Sequence, residues 1–173
     1  MMRTTRLVSH KRAIVLFSST TLLALVSSQL VNRLIYLNLE EHQSWLVTPW
    51  LHFTHIRNHG GVFGIFQGQS TLFSLLSAVL LISLVAYLFT SKHVQQFEFT
   101  CFGFILGGGM SNILDRFIYG SVIDYFDIRG IPHWHYIFNL ADVMIHIGLW
   151  TMVLISLGHS FRKKESGSES HQA

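Results

Sequence analysis

GGGMSNILDRFIYGSVIDYFDIRGIPHWHYIFNLAD, from Gly107 to Asp142, closes one long apolar run and opens the next. It carries four of the nine acidic residues of the chain: Asp115, Asp124, Asp127 and Asp142. A carboxylate at a membrane edge is costly to keep charged. Such residues are rare unless they pair, face a wet cavity or do chemistry. The stretch therefore bears on two things at once, a membrane fold and a site built from acids.

Working outward, the rest of the chain supports the membrane reading. Half of the 173 residues are hydrophobic and 12% are charged, where soluble domains run near 25% charged. A spanning helix needs about 20 apolar residues. Segments at about 13–31, 70–90, 97–116 and 138–160 meet that length. The first follows Arg3, Arg6, Lys11 and Arg12. It is longer than a signal-peptide core and no small-residue cleavage site follows it, so a retained signal anchor is expected. The chain is read as one integral membrane domain over 1–160, followed by a polar, disordered cytoplasmic tail over 161–173. The single cysteine, Cys101, rules out an internal disulfide. The formal charge of +3 comes mainly from the ends and flanks the apolar segments. No basic patch interleaved with aromatics accompanies it, which excludes nucleic-acid binding.

Arginine and lysine set the expected orientation. The N-terminal cluster, Lys92, Arg162, Lys163 and Lys164 fall on one side of four spans, which places both termini in the cytoplasm. The connections at about 32–69 and 117–137 then face outward. In the first, Phe53 to Gly68 mixes β-formers with glycines. Asn58 and the Gly60–Gly61 pair predict a turn between short strand-like pieces. Trp45, Trp50, Phe53, Phe63 and Phe66 suit a surface at headgroup level, or a plain aromatic belt.

Near the outer end of the third segment, Asn112, Asp115 and Arg116 stand at i, i+3 and i+4, a spacing that shares one helix face. Asp115 and Arg116 suit charge neutralisation at the membrane edge, and Arg116 equally suits a carbonyl or anionic group of a ligand. Gly107, Gly108 and Gly109 predict close helix packing. In the fourth segment Asn139 and Asp142 stand at i and i+3; Asn139 can cap the helix, and Asp142 lies in its first turn, where the helix dipole favours negative charge. Asp124 lies among Val122, Ile123, Tyr125 and Phe126, with Asp127 three residues on as the competing loop acid. Spacing puts these acids near one outer face and does not choose among them.

Two carboxylates that share a site cannot both ionise easily, so one keeps its proton near neutral pH. The ionised one can take a proton from water, and the protonated one can polarise a carbonyl and later supply a leaving amine. No serine or cysteine stands beside a suitable base, and Cys101 falls toward the cytoplasmic end. Of eleven histidines, the pairs His55/His59 and His133/His135 lie on the outer side without a recognisable ligand motif. No metal and no cofactor are expected. His146, one turn after Asp142, can face the bundle interior, and no catalytic role is assigned to it.

Three blocks in order resemble the lipoprotein signal peptidase (signal peptidase II) family of bacterial membrane aspartic proteases. They are RNHGGVF (Arg57 to Phe63), GGGMSNILDRFIYGSVIDYFD (Gly107 to Asp127) and FNLADV (Phe138 to Val143). The resemblance implies a four-transmembrane-helix bundle, all-α in class, with a small extracytoplasmic β-cradle and a periplasmic loop or helix. It implies that Asp124 and Asp142 are the catalytic dyad and that Asn58, Gly60, Asn112, Arg116 and Asn139 line the substrate site. Asp115 is left as support and Asp127 as a bystander. The implied substrate is a prolipoprotein whose cysteine carries diacylglyceryl, cleaved before that cysteine. The implied partners are that substrate and membrane lipids. The implied state is a monomer in the bacterial inner membrane, with the site near the periplasmic face.

The chain departs from the family pattern at the end of the first segment. Ser28-Gln29-Leu30-Val31-Asn32 stands where the family has D-Q-x-x-K, so the acid and the lysine are both missing. Val143 and Gly61 replace a serine and an alanine. The alternative reading is a catalytically inactive or specialised paralogue that binds lipoproteins or lipids. A small proton-conducting bundle is disfavoured, because the acids cluster at one face rather than along the bilayer's depth.

Overall fold

The computed structural model describes residues 10–61, 65–91 and 94–169; of His10 and residues 159–169 only the backbone is described. The helices are α1 (His10–Asn38), α2 (Ser70–Thr90), α3 (Gln96–Tyr119) and α4 (Leu140–Glu169). Each contains a stretch long and apolar enough to cross a membrane: Lys11–Asn38, Ser70–Thr90, Gln96–Tyr119 and Leu140–Gly158. The four expected spans are therefore present. α1 runs seven residues past the expected end at 31, so its last two turns carry the chain up toward the sheet.

α3 is the hub, and its composition says why. It is the least apolar of the four, with a mean hydropathy of 1.2 against 2.5 for α2. It is also the best covered, with 44% of its most apolar stretch buried against 11–17% for the others. A less apolar helix is stable in a bilayer when neighbouring helices rather than lipid surround it. The triple glycine makes this possible. Successive helical residues point about 100° apart, so the three face three different neighbours. A Cβ at Gly107 would strike Thr21 and Ala24 of α1, one at Gly108 the Ala141 carbonyl of α4, and one at Gly109 Leu81 of α2. Small residues let membrane helices approach this closely. The remaining faces of α1, α2 and α4 expose leucines such as Leu22, Leu75, Leu80 and Leu154, as lipid-facing surfaces do.

The connections carry a four-stranded antiparallel sheet of β1 (Ser44–Thr48), β2 (Leu51–Asn58), β3 (Val122–Ile128) and β4 (Ile137–Phe138), in that spatial order. The strand-rich piece of the first connection thus lies before the Asn58–Gly60 turn. Residues 65–69 after it form bends and turns, and Val62, Phe63 and Gly64 lie outside the described residues. Between β3 and β4, residues 129–136 form turns rather than a helix. Gly120 ends α3 in the left-handed conformation, at φ 74°, which glycine adopts without a Cβ penalty. The chain thereby reverses directly into β3. Ile123 and Tyr125 of β3 are fully buried against Ile35 of α1 and Leu39 just past its end, which seats the sheet on the end of the bundle. The backbone of α4 stays helical to Glu169, past the boundary at 161 where a disordered tail is expected. Residues 170–173 lie outside the described residues.

Candidate active site

β3 delivers Asp124 by simple alternation. Its neighbours Ile123 and Tyr125 point into the α1 core, so the intervening side chain must face the other way. There Asp124, only 4% exposed, accepts hydrogen bonds from Asn58 Nδ2 at 3.1 Å and Asn139 Nδ2 at 2.8 Å. Asn58 is the last residue of β2, and its Oδ1 accepts the Gly60 amide at 3.0 Å, closing a local turn.

Asp142 arrives by helix capping. Asn139 Oδ1 accepts the Asp142 amide at 3.0 Å, and Asp142 Oδ2 accepts the Asn139 amide at 3.3 Å. This is a reciprocal capping box at the start of α4. The other oxygen, Oδ1, accepts Asn112 Nδ2 of α3 at 2.9 Å. Asn139 Nδ2 also reaches Asn112 Oδ1 at 3.1 Å. One fully buried asparagine side chain therefore contacts Asp124 and caps the helix that holds Asp142.

Arg116 closes the ring. Its Nη1 donates to the Asn112 carbonyl at 3.2 Å and its Nη2 to the Gly60 carbonyl at 3.0 Å. Its charge acts on both Asp124 and Asp142. The buried Nε has no partner among the described residues. Burial, and then the negative charge of Asp142, hold the Asp124 carboxyl well above the usual carboxylate range. Asp124 is therefore the member of the pair suited to carry a proton, while Asp142 sits at a helix N-terminus that favours its charge.

Asp115 does not pair with Arg116, although both stand on the expected side of α3. Fully buried, it turns to α1 and the sheet. Gln29 Nε2 and Asn32 Nδ2 donate to it at 2.8 Å each, and the Ile123 amide at 3.1 Å. It thus fixes the backbone one residue before Asp124. Asp127 is turned away, to Thr54 Oγ1 at 2.8 Å and an ion pair with Arg129 at 2.9 Å. His146 is exposed rather than interior, its Nδ1 bonded to the Asp142 carbonyl of its own helix at 2.7 Å. Among the described residues no three His, Cys, Asp or Glu side chains are grouped to hold a metal ion.

Residues 20–158 match the family described as Signal peptidase (SPase) II. The chain belongs to that family. Its relatives include the lipoprotein signal peptidase of Microcystis aeruginosa, 36% identical over 111 residues, covering 64% of this chain and 70% of the relative. The lipoprotein signal peptidase of Wigglesworthia glossinidia brevipalpis is 38% identical over 119 residues, covering 67% and 77%. A bacterial membrane enzyme solved by the in meso method superposes with a TM-score of 0.77 at 26% identity, covering 91% of this chain and 94% of its own.

Two contacts that support this signal peptidase site are absent from the motif reading. The Tyr125 hydroxyl accepts the Leu140 amide at 3.0 Å, joining β3 to the first turn of α4. Burial pushes its phenol up, so it stays neutral. A tyrosine adjoining a site acid in an apolar strand is the available signal. Gln29, the residue of the D-Q-x-x-K pattern that this chain keeps, also reaches Ser111 Oγ at 3.0 Å; the motif marks the glutamine, but nothing local marks its partner 82 residues on.

Proposed function

We propose that this signal peptidase II is an aspartic endopeptidase whose catalytic pair is Asp124 and Asp142. It removes signal peptides from prolipoproteins, and the cut falls before the diacylglyceryl-bearing cysteine. The observation that carries this reading is the bridge through Asn139, which gathers two carboxylates from separate elements into one buried network.

In the resting enzyme the pair shares one proton, held on Asp124. Asp142 is the carboxylate, favoured by the α4 dipole and the Asn112 and Asn139 donors. A water takes its place between them, with the scissile carbonyl beyond it. Asp142 removes a proton from the water as its oxygen bonds to the carbonyl carbon, and Asp124 gives its proton to the carbonyl oxygen. The tetrahedral diol then collapses: the C–N bond breaks, the nitrogen takes the proton held by Asp142, and a hydroxyl proton returns to Asp124. Arg116 offsets the one remaining negative charge of the dyad, and its unpartnered Nε is a donor available to a backbone carbonyl of the substrate. Asn58, Gly60, Asn112 and Asn139 complete the substrate site.

The positive-inside pattern supports cytoplasmic termini and a site at the outer face of the bacterial inner membrane. There a substrate whose signal helix and lipid both lie in the bilayer can reach it. One chain supplies both acids and the donors that hold them, so a monomer suffices for the site. An inactive lipid-binding relative is not favoured: such a protein has no need of two acids held on one buried asparagine.

The test is cleavage of a diacylated prolipoprotein by the protein purified in detergent. Asp124→Asn and Asp142→Asn each abolish signal-peptide release while the melting transition persists. Normal turnover by either variant overturns the dyad.

A further inference from the structure

A polar cavity of about 570 Å³ lies where α1 meets the sheet. Tyr36, Leu37, Glu40, Glu41, His55 and Arg57 are among its lining residues. It is separate from the dyad. Arg57 and Asn58 are consecutive on β2 and face opposite ways, and Asn58 is the one that reaches Asp124.

His55 says what this cavity lacks. It is 3% exposed, and its Nδ1 lies 2.8 Å from the Leu39 carbonyl. A carbonyl can only accept, so Nδ1 bears the hydrogen and Nε2 of the neutral ring is a bare acceptor. That Nε2 is buried and has no partner among the described residues. A buried acceptor left this way carries a desolvation cost that a ligand N–H or O–H would remove. The charges on the same wall define the ligand further. Glu40 and Glu41 are exposed carboxylates, and among the described residues Glu41 pairs with His42 Nε2 at no closer than 4.0 Å. Arg57 is fixed by its Nε on Ser121 Oγ at 3.0 Å and by Nη2 on the Tyr119 carbonyl, so its positive charge stays at this wall. Two negative charges and one positive favour a group that carries a cation and an anion together. Below the cavity, Leu30, Leu34 and Leu37 are each at least 60% exposed. Their i, i+4, i+7 spacing makes an apolar stripe that climbs the lipid-facing side of α1 into it.

We propose that this cavity binds the headgroup of a membrane phospholipid with a primary ammonium, the phosphatidylethanolamine class. The ammonium donates to His55 Nε2 and to the carboxylates of Glu40 and Glu41. The phosphate rests on Arg57, and the acyl chains follow Leu37, Leu34 and Leu30 into the bilayer. A trimethylammonium headgroup has no N–H to give His55, and an anionic glycerol headgroup brings no cation to the glutamates. The inference stands apart from the peptidase reading, because it is tested by binding without turnover.

The full chain, purified in detergent, is titrated with phosphatidylethanolamine, phosphatidylglycerol and phosphatidylcholine of identical acyl chains, and bound lipid is counted by native mass spectrometry. Phosphatidylethanolamine is expected to bind about tenfold more tightly than the other two, the size of one charge-assisted hydrogen bond. The double variant Glu40→Gln/Glu41→Gln, at two exposed positions, weakens phosphatidylethanolamine several-fold and shrinks its preference over phosphatidylcholine, what remains of that preference being the bond to His55 Nε2. Equal retention of the three lipids, preference for phosphatidylglycerol, or an unaltered preference in the double variant overturns the proposal.

Discussion

Replacing Asp124 by asparagine tests the shared proton through stability as well as activity. Loss of a general acid lowers cleavage by roughly 10²–10⁴-fold, but many kinds of damage do that. The pH dependence of unfolding is more selective. Asp124 has a folded-state pKa raised from 3.8 by burial and by the Asp142 charge. Below 3.8 both folded and unfolded chains hold the proton. Between 3.8 and the folded value the native chain holds one proton more, so its stability falls as pH rises, by about 1.4 kcal/mol per pH unit. Above the folded value the slope from this group ends. Asparagine cannot titrate and has no such slope. It does carry a fixed cost, because its NH₂ must face Asn58 Nδ2 or Asn139 Nδ2, both donors to the present carboxylate. That cost is the same at every pH. The expected outcome is that Asp124→Asn gains on the wild type as pH rises from about 4, at close to that slope. The assay is the unfolding midpoint of both proteins in one detergent across the pH range. In Asp142→Asn the second cause is gone while burial remains, so the sloping window narrows from above without vanishing. Parallel curves for wild type and Asp124→Asn would refute the reasoning, because Asp124 would then not hold the proton that the mechanism requires.

Other substitutions separate the roles around the pair. Asn139→Ala loses a helix cap, about 1 kcal/mol, and takes a donor from the buried Asp124 Oδ1 and from Asn112 Oδ1, about 1–3 kcal/mol each; the melting midpoint falls and cleavage drops at least ~100-fold. Gly108→Ala sets a methyl against the Ala141 carbonyl, one residue before Asp142. Cleavage falls by about 10²-fold for a displacement near 1 Å, whereas Gly158→Ala, with nothing within 4 Å, leaves the initial rate unchanged. Asp127→Asn removes a partly exposed ion pair with Arg129, costs about 0–1 kcal/mol, and retains wild-type cleavage; a dead Asp127→Asn would assign the loop acid wrongly.

The spans were legible because twenty apolar residues in a row have few other fates, and α2 falls at its expected limits. The ends of α1 were not: Arg33 and Asn38 break the apolar run, yet the helix continues because Ile35 and Leu39 bury against Ile123 and Tyr125 of a strand far along the chain. Sheet pairing was the other blind spot. β-forming residues marked the first connection, but its partner strand β3 lies in the second, in a register that sets Ile56 opposite Asp124. The acids themselves were legible as membrane-edge carboxylates. What separates Asp124 from Asp127 is which side of β3 meets Asn58 and Asn139, a three-dimensional fact to which only the family resemblance pointed. The i, i+3, i+4 rule placed Asn112, Asp115 and Arg116 on one face. It did not reveal that α1 draws Asp115 one way while Gly60 draws Arg116 the other.

The departure in the first segment acquires a physical meaning through Asp115. Ser28 and Asn32, i and i+4 on α1, are fully buried where the family pattern has an acid and a lysine. Asn32 and Gln29 hold the Asp115 carboxylate with neutral N–H groups, and the Ile123 amide supplies a third donor. Three donors are enough to orient a carboxylate, so the strand that carries Asp124 keeps its anchor without a cation. The charge balance is kept as well, because an acid and a lysine are lost together from one face of α1 while Asp115 remains. The altered helix therefore does not dismantle the pair: neutral hydrogen bonds preserve the anchor of the strand that carries Asp124.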